Sequence, residues 1–191
     1  MGNVSVEWLA AISTGREYSI DEKKKGYAVP VTPWLHPPVG KRLRSLIIKL
    51  GTVRELERQE ILYPQDRKVS DIVLVQQGVT ARNFGHAVSA PKAAAISTPG
   101  HFACGNLNFM TRRPSLGNYF ALTKAQVVVC PKDLLLPVLT TDPELFAYTI
   151  RLLESCTLSD RLGLALMALA SDELRLKAIV VTLAIHYAKL Y

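Results

Sequence analysis

From residue 52 onward the chain is a succession of short apolar-rich runs: TVRELERQEILYP, SDIVLVQQGVTARNF, PKAAAISTPGHFACGN, LGNYFALT and AQVVVCPKD. Glycine, proline, asparagine and aspartate break them at regular intervals. Short strands with such turn signals predict a two-sheet sandwich or roll. DIVLVQQGV is the clearest strand, a β-branched run closed by Gly78, and AQVVVC is the second.

Helical patterns flank this region. Residues 4–12, VSVEWLAAI, carry apolar positions suited to a short helix. Prolines 30, 33, 37 and 38 then impose an extended or turning connector. KRLRSLIIKLG follows, with helical spacing at Leu43, Leu46, Ile47 and Leu50 and a glycine at the C-cap position. After Pro131, DLLLPVLTTDPELFAYTIRLLESC reads as a short helix, a break and a longer helix capped by Thr141 or Asp142, with Pro143 in its first turn. The remainder is helical, and Ser159 or Ser171 is expected to cap successive helices. Leu162, Leu164, Leu166, Leu169, Leu174, Ile179, Val180 and Leu183 form a long apolar face that either covers the roll or meets a partner subunit.

A 191-residue chain that is 49% hydrophobic suffices for one sizeable core with a helical appendage. Its formal net charge of +7 favours polyanionic partners, with local clusters at Lys23, Lys24, Lys25 and at Lys41, Arg42, Arg44. Cys104, Cys130 and Cys156 show no CxxC spacing, which argues against a disulfide framework or a structural zinc site and for a reducing cytoplasm. Neither a signal peptide nor a membrane-spanning run is expected.

The order helix, roll, helices, with these segments, resembles the sensor half of the Crp/Fnr family of bacterial transcription regulators. The resemblance runs from about Leu50 to about Leu164. ERQEILYPQDRKVSDIVLVQQGV resembles the family's opening strands. STPGHFACGNLNFMTRRPSLGNYFALTKAQVVVCPKDLLLPVL resembles the second half of its sensor domain, and TTDPELFAYTIRLL the start of its dimerisation helix. SDRLGLALMALA is similar to the first helix of the winged helix-turn-helix domain that follows.

The resemblance implies an α+β fold: a cyclic-nucleotide-binding-like β-roll (double-stranded β-helix, jelly-roll) with an N-terminal helix and C-terminal helices. It implies a helical segment and connector over 1–50, a β-roll sensor over 51–140, and over 141–191 a dimerisation helix with the start of an incomplete winged helix-turn-helix. It also implies DNA as a partner, a homodimer, an unknown small-molecule effector and no cofactor.

The family's phosphate cassette, laid on this chain without gaps, places Gly105, Asn106 and Leu107 before a loop, then Pro114, Ser115, Leu116 and Gly117, then Ala121 and Thr123. The glycine, the proline and the Ala-x-Thr agree with the pattern. Asn106 stands where the family has a ribose-binding glutamate, and Ser115 where it has a phosphate-binding arginine. An amide loses the charge-assisted bond, and a hydroxyl does not replace a bidentate guanidinium. Arg112 and Arg113 precede this serine and serve the phosphate only if the loop rearranges. Cyclic-nucleotide binding is therefore not expected, and Gly105, Asn106, Leu107, Arg113, Ser115 and Leu116 are expected to line what remains of a pocket.

Other chemistry finds weaker support. His36, His86, His101 and His186 form no HxH pair, which disfavours a cupin-type metal enzyme. Haem ligation by His86, His101, Cys104 or Met110 has no selecting spacing. Cys104, beside a glycine turn, is a possible redox residue if it is partly exposed near Arg112 and Arg113. No GxSxG motif is present. The expectation is a regulator or its sensor and dimerisation part, not an enzyme. The alternatives are a protein-interaction or assembly module on the same scaffold, and an atypical cyclic-nucleotide receptor.

Overall fold

A computed structural model describes residues 31–84, 92–111 and 113–187. The helix expected over residues 4–12, the Lys23–Lys25 cluster, His86 and Arg112 lie outside the described residues. Helix α1 (Lys41–Leu50) leads into strands β1 (Thr52–Leu56), β2 (Ile61–Tyr63), β3 (Asp71–Gln77), β4 (Thr80–Phe84), β5 (Lys92–Ser97), β6 (Phe102–Cys104), β7 (Asn118–Ala121) and β8 (Ala125–Pro131). Helices α2 (Lys132–Thr140), α3 (Pro143–Leu169) and α4 (Asp172–Tyr187) follow.

The strands form two four-stranded sheets, in the orders β1-β8-β3-β6 and β2-β7-β4-β5, with antiparallel neighbours throughout. The chain alternates between them: β3, β6 and β8 lie in one, and β4 and β7 in the other. This is the expected α+β roll, built as two facing sheets.

The first sheet explains the near-continuous apolar text of DIVLVQQ and AQVVVC. Strand side chains alternate between faces, and here both faces are covered. Ile72 and Leu74 on β3, with Val128 and Cys130 on β8, pack outward against Leu43 and Ile47 of α1, Leu135 and Leu139 of α2, and Leu152 and Cys156 of α3. Val73 and Val75, with Ala125 and Val127, pack inward with Leu62, Tyr119 and Ala121 of the second sheet. The core therefore has two compartments, one between helices and sheet and one inside the roll.

Gly51 ends α1 as expected, its N–H reaching the Ile47 carbonyl at 2.9 Å. Asp142, not Thr141, caps α3, accepting from the Leu145 N–H at 3.1 Å, with Pro143 in the first turn. Ser171 accepts from the Leu174 N–H at 3.3 Å ahead of α4. Ser159 caps nothing: α3 runs unbroken for 27 residues and carries Ser159 fully buried at its middle. The helix start expected at Ser159 is therefore corrected: the segment continues α3 as a single helix.

Tertiary packing explains that continuity. Gly163 reads as a helix weakener, but a Cβ there would lie 2.6 Å from Cδ1 of Trp34. The missing side chain lets the indole lie on the helix, and Trp34 joins Leu162, Leu166 and Ala178 in a third cluster. The long apolar face splits accordingly. Leu162 and Leu166 are buried, whereas Leu164, Leu169, Ile179, Val180 and Leu183 are exposed.

Candidate functional site

The cassette loop leaves β6 through Gly105, at φ +87°. Any Cβ there would lie 2.1 Å from the Asp71 carbonyl oxygen, so only glycine turns the chain this close to β3. Beyond it the loop leans toward the helices. Phe109 is buried in the helix-side core with Leu152 and Cys156. Asn106 is 3% exposed, and its amide nitrogen and oxygen are buried without a hydrogen-bonding partner. Its polar neighbour is the Cys156 thiol of α3, a weak partner whose proton burial holds on well above the usual range.

Ser115 is fully buried and turned onto its own loop. Its hydroxyl donates to the Gly117 carbonyl, its N–H donates to the Arg67 carbonyl at 2.8 Å, and its carbonyl accepts from the Asp66 N–H at 3.0 Å. The Asn108 amide ties the loop together, donating to the carbonyls of Arg113 (2.8 Å) and Pro114 (3.0 Å). Lys132 braces it from behind, its buried Nζ donating at 3.0 Å to both the Asn108 and the Val69 carbonyls. Desolvation lowers the pKa of this lysine.

A cavity of about 350 Å3 opens at the loop, lined by Leu107, Asn108, Thr111, Arg113, Pro114 and Leu116. Of the expected pocket residues, Leu107, Arg113 and Leu116 line it. Gly105, Asn106 and Ser115 are not among its lining residues. The two positions that depart chemically from the cassette pattern are both buried, Asn106 beside the Cys156 thiol and Ser115 on the Gly117 carbonyl. Arg113 is exposed, a surface cation at the rim.

Cys104 is corrected. It is fully buried inside the roll, and burial pushes its thiol far up, which removes the exposed, activated thiolate that redox sensing needs. All three cysteines are buried and free. Among the described residues no cluster of three or more His, Cys, Asp or Glu is placed to hold a metal ion, and no helix is long and apolar enough to cross a membrane.

The polar centre of the roll comes from Arg82 and Asp160, which the sequence does not single out, together with His36. Arg82 of β4 pairs in register with Tyr119 of β7, and its guanidinium lies 5.9 Å from the Tyr119 ring centroid. Its Nη2 lies 3.1 Å from Oδ2 of Asp160 on α3. The other Asp160 oxygen accepts from Nε2 of His36 at 3.0 Å. All three residues are at most 4% exposed. One buried carboxylate thus ties together the second sheet, the long helix and the N-terminal segment. Burial also raises the Tyr119 hydroxyl to about 12, so the phenol stays neutral under this cation. Strand alternation puts Arg82 on the face of Thr80, and only the register with β7, where Thr80 pairs with the inward-facing Ala121, makes that face the interior. Asp160 gave none, being one acid in a helix with several.

Two sheets wound this way, a glycine-led loop between β6 and β7, and a long helix over the first sheet define a cyclic-nucleotide-binding-type β-roll, the fold of Crp/Fnr-like regulators. Known structures bear this out. The chain aligns with a transcriptional regulator from Thermotoga maritima at 18% identity and a TM-score of 0.55, over 65% of this chain and 96% of that one. Against the Thermus thermophilus catabolite activator protein the values are 16% and 0.55, over 68% and 61%. Against CprK in complex with OCPA they are 12% and 0.57, over 77% and 66%. No protein-family model matches the chain, and no curated protein matches it. At these identities the likeness establishes the fold.

Proposed function

We propose that this chain is the sensor and coupling part of a Crp/Fnr-like transcription regulator that does not respond to cyclic nucleotides. The observation that carries the reading is the Asp160 junction. A signal reaching the roll changes a helix only if the two are mechanically joined, and Arg82–Asp160–His36 joins them in a buried, charged contact. The fold shared with a transcriptional regulator and a catabolite activator protein supports a role in regulation. The buried Asn106 and Ser115 leave the cassette without its charged partners for a ribose and a cyclic phosphate.

In this reading the chain is not an enzyme. It works in the cytoplasm as a homodimer that associates through its C-terminal helices, and a reading module positioned by those helices meets DNA. A second reading, an assembly module without DNA binding, draws on a specific feature. Leu169, Leu176 and Val180 are each more than half exposed on α3 and α4, an apolar surface of the kind that seeks a partner.

A DNA titration separates them. The 191-residue chain and any longer product of the same gene would be titrated against fragments of its promoter region at several salt concentrations. The regulator reading expects selective binding by the longer product, with affinity falling steeply as salt rises. Absence of selective binding by both would overturn it in favour of the assembly module. Saturable binding of cyclic AMP or cyclic GMP would overturn the exclusion of cyclic nucleotides.

A further inference from the structure

The three histidines among the described residues, distant in sequence, meet at one cavity. It has a volume of about 470 Å3 and lies between the N-terminal segment, α1, the β5–β6 turn and α4, away from the cassette loop. His36, Arg44, Thr98, His101 and His186 supply its polar lining, and most of the remainder is apolar. No acidic residue lines it among the described residues, so Arg44 brings a positive charge that no lining carboxylate balances.

His101 defines the chemistry further. Its Nδ1 lies 3.0 and 3.1 Å from the carbonyl oxygens of Thr98 and Pro99. Carbonyls only accept, so Nδ1 carries the proton, and in the neutral ring Nε2 is a bare lone pair. This Nε2 is buried and has no partner, in a residue only 1% exposed. Burial, with His186 at a ring-centroid distance of 4.8 Å, depresses the His101 pKa to about 4 and keeps the ring neutral. A buried acceptor without a donor is costly in a finished core, and costs nothing once a ligand supplies the donor. His36 repeats the pattern: Nε2 is spent on Asp160, and Nδ1 is buried without a partner.

We propose that this cavity binds a small organic hydroxy acid, its carboxylate against Arg44 and its hydroxyl donating to Nε2 of His101. The apolar lining takes the carbon skeleton. The volume is within the range of ordinary small-molecule sites and leaves room for a molecule of mandelate size. Because Ile185 and His186 of α4 form one wall, the bound acid would bridge that helix to the roll. The proposal is independent of DNA binding.

The test is calorimetric titration of the full chain with lactate, mandelate and gluconate. Phenylacetate serves as a carboxylate without the hydroxyl, and inorganic phosphate as a simple anion. At least one hydroxy acid is expected to bind saturably, with phenylacetate or phosphate at least tenfold weaker. Arg44 is only half-buried, so Arg44→Gln should fold normally, which its unliganded melting temperature checks, and should weaken the bound acid at least tenfold. Absence of saturable binding by all three acids overturns the proposal. So does equal binding by Arg44→Gln, or by phenylacetate or phosphate. Neither DNA nor nucleotide enters this experiment, so its failure and that of the regulator reading are distinguishable.

Discussion

Asp160 holds two partners that its own helix does not supply, and the energetics of such a site are asymmetric. A buried ion pair gains little over a well-packed apolar pair, because desolvation offsets the Coulomb attraction. Removing one member is different, since the other charge stays buried alone. Asp160→Asn leaves the Arg82 guanidinium without its carboxylate and weakens the acceptor for His36. Urea unfolding should show a loss of about 3–5 kcal/mol. The apolar double replacement Arg82→Met/Asp160→Leu should recover much of that loss. Recovery would mean that stability is not what the ion pair supplies. His101 carries the second residue-scale prediction. Its folded pKa of about 4 lies below the ordinary 6.5, so the fold selects the neutral ring. The groups around it are His186, the more distant His36 and Arg44 of the same cavity, with only carbonyls and the Thr98 hydroxyl to accept. None of them favours an added proton except those carbonyls. The contribution is therefore fully present above pH 6.5 and is lost as pH falls from 6.5 toward 4, by roughly 3 kcal/mol at about 1.4 kcal/mol per unit. Thermal melts between pH 7.5 and 4.5 should show this loss, and His101→Gln should flatten it.

At the scale of elements, α3 shows where packing overrides local signals. Ser159 and Gly163 look like punctuation in the sequence, yet the helix passes through both because Trp34 covers the glycine. Gly163→Ala would raise helix propensity by up to ~1 kcal/mol in an exposed helix. Here the new methyl lies 2.6 Å from Cδ1 of an indole ring that is not a flexible tip. The net effect should be a destabilisation of about 1–3 kcal/mol, read by urea melts, with Trp34 fluorescence reporting the displaced ring. The strands were far more legible. β3 and β8 declared themselves by β-branched runs, because burial on both faces leaves no polar alternation to confuse the pattern. The cassette was legible in its residue types, as Asn106 and Ser115 stand where charges are expected. Their inward turn was not, since it depends on Cys156 and on the Gly117 carbonyl as neighbours. His36, His101 and His186 gave no signal in their spacing. The N-terminal segment, the β5–β6 turn and α4 bring them together, and only the tertiary fold makes them one site.

For the whole molecule, the proposed dimer would place its contact on the exposed apolar residues of α3 and α4. Leu169 at the end of α3 is 74% exposed, and Leu176 and Val180 on α4 are each more than half exposed, while Leu162, Leu166 and Ala178 close the contact between the helices and Trp34. Among the described residues the helices are therefore packed on one side and exposed on the other. The net charge of +7 opposes close approach of two copies through long-range repulsion. Salt screens that repulsion, with a Debye length of about 8 Å at physiological ionic strength, but leaves apolar burial intact. Self-association through this face should therefore strengthen as salt rises, opposite to the behaviour of a DNA complex. Sedimentation equilibrium at low and high salt reads the sign directly. Leu169→Glu with Val180→Glu touches only exposed positions, so it should leave the melting temperature of the monomer nearly unchanged while shifting the equilibrium to monomer. A dimer that weakens with salt, or that survives both glutamates, would place the contact on a charged surface elsewhere in the molecule.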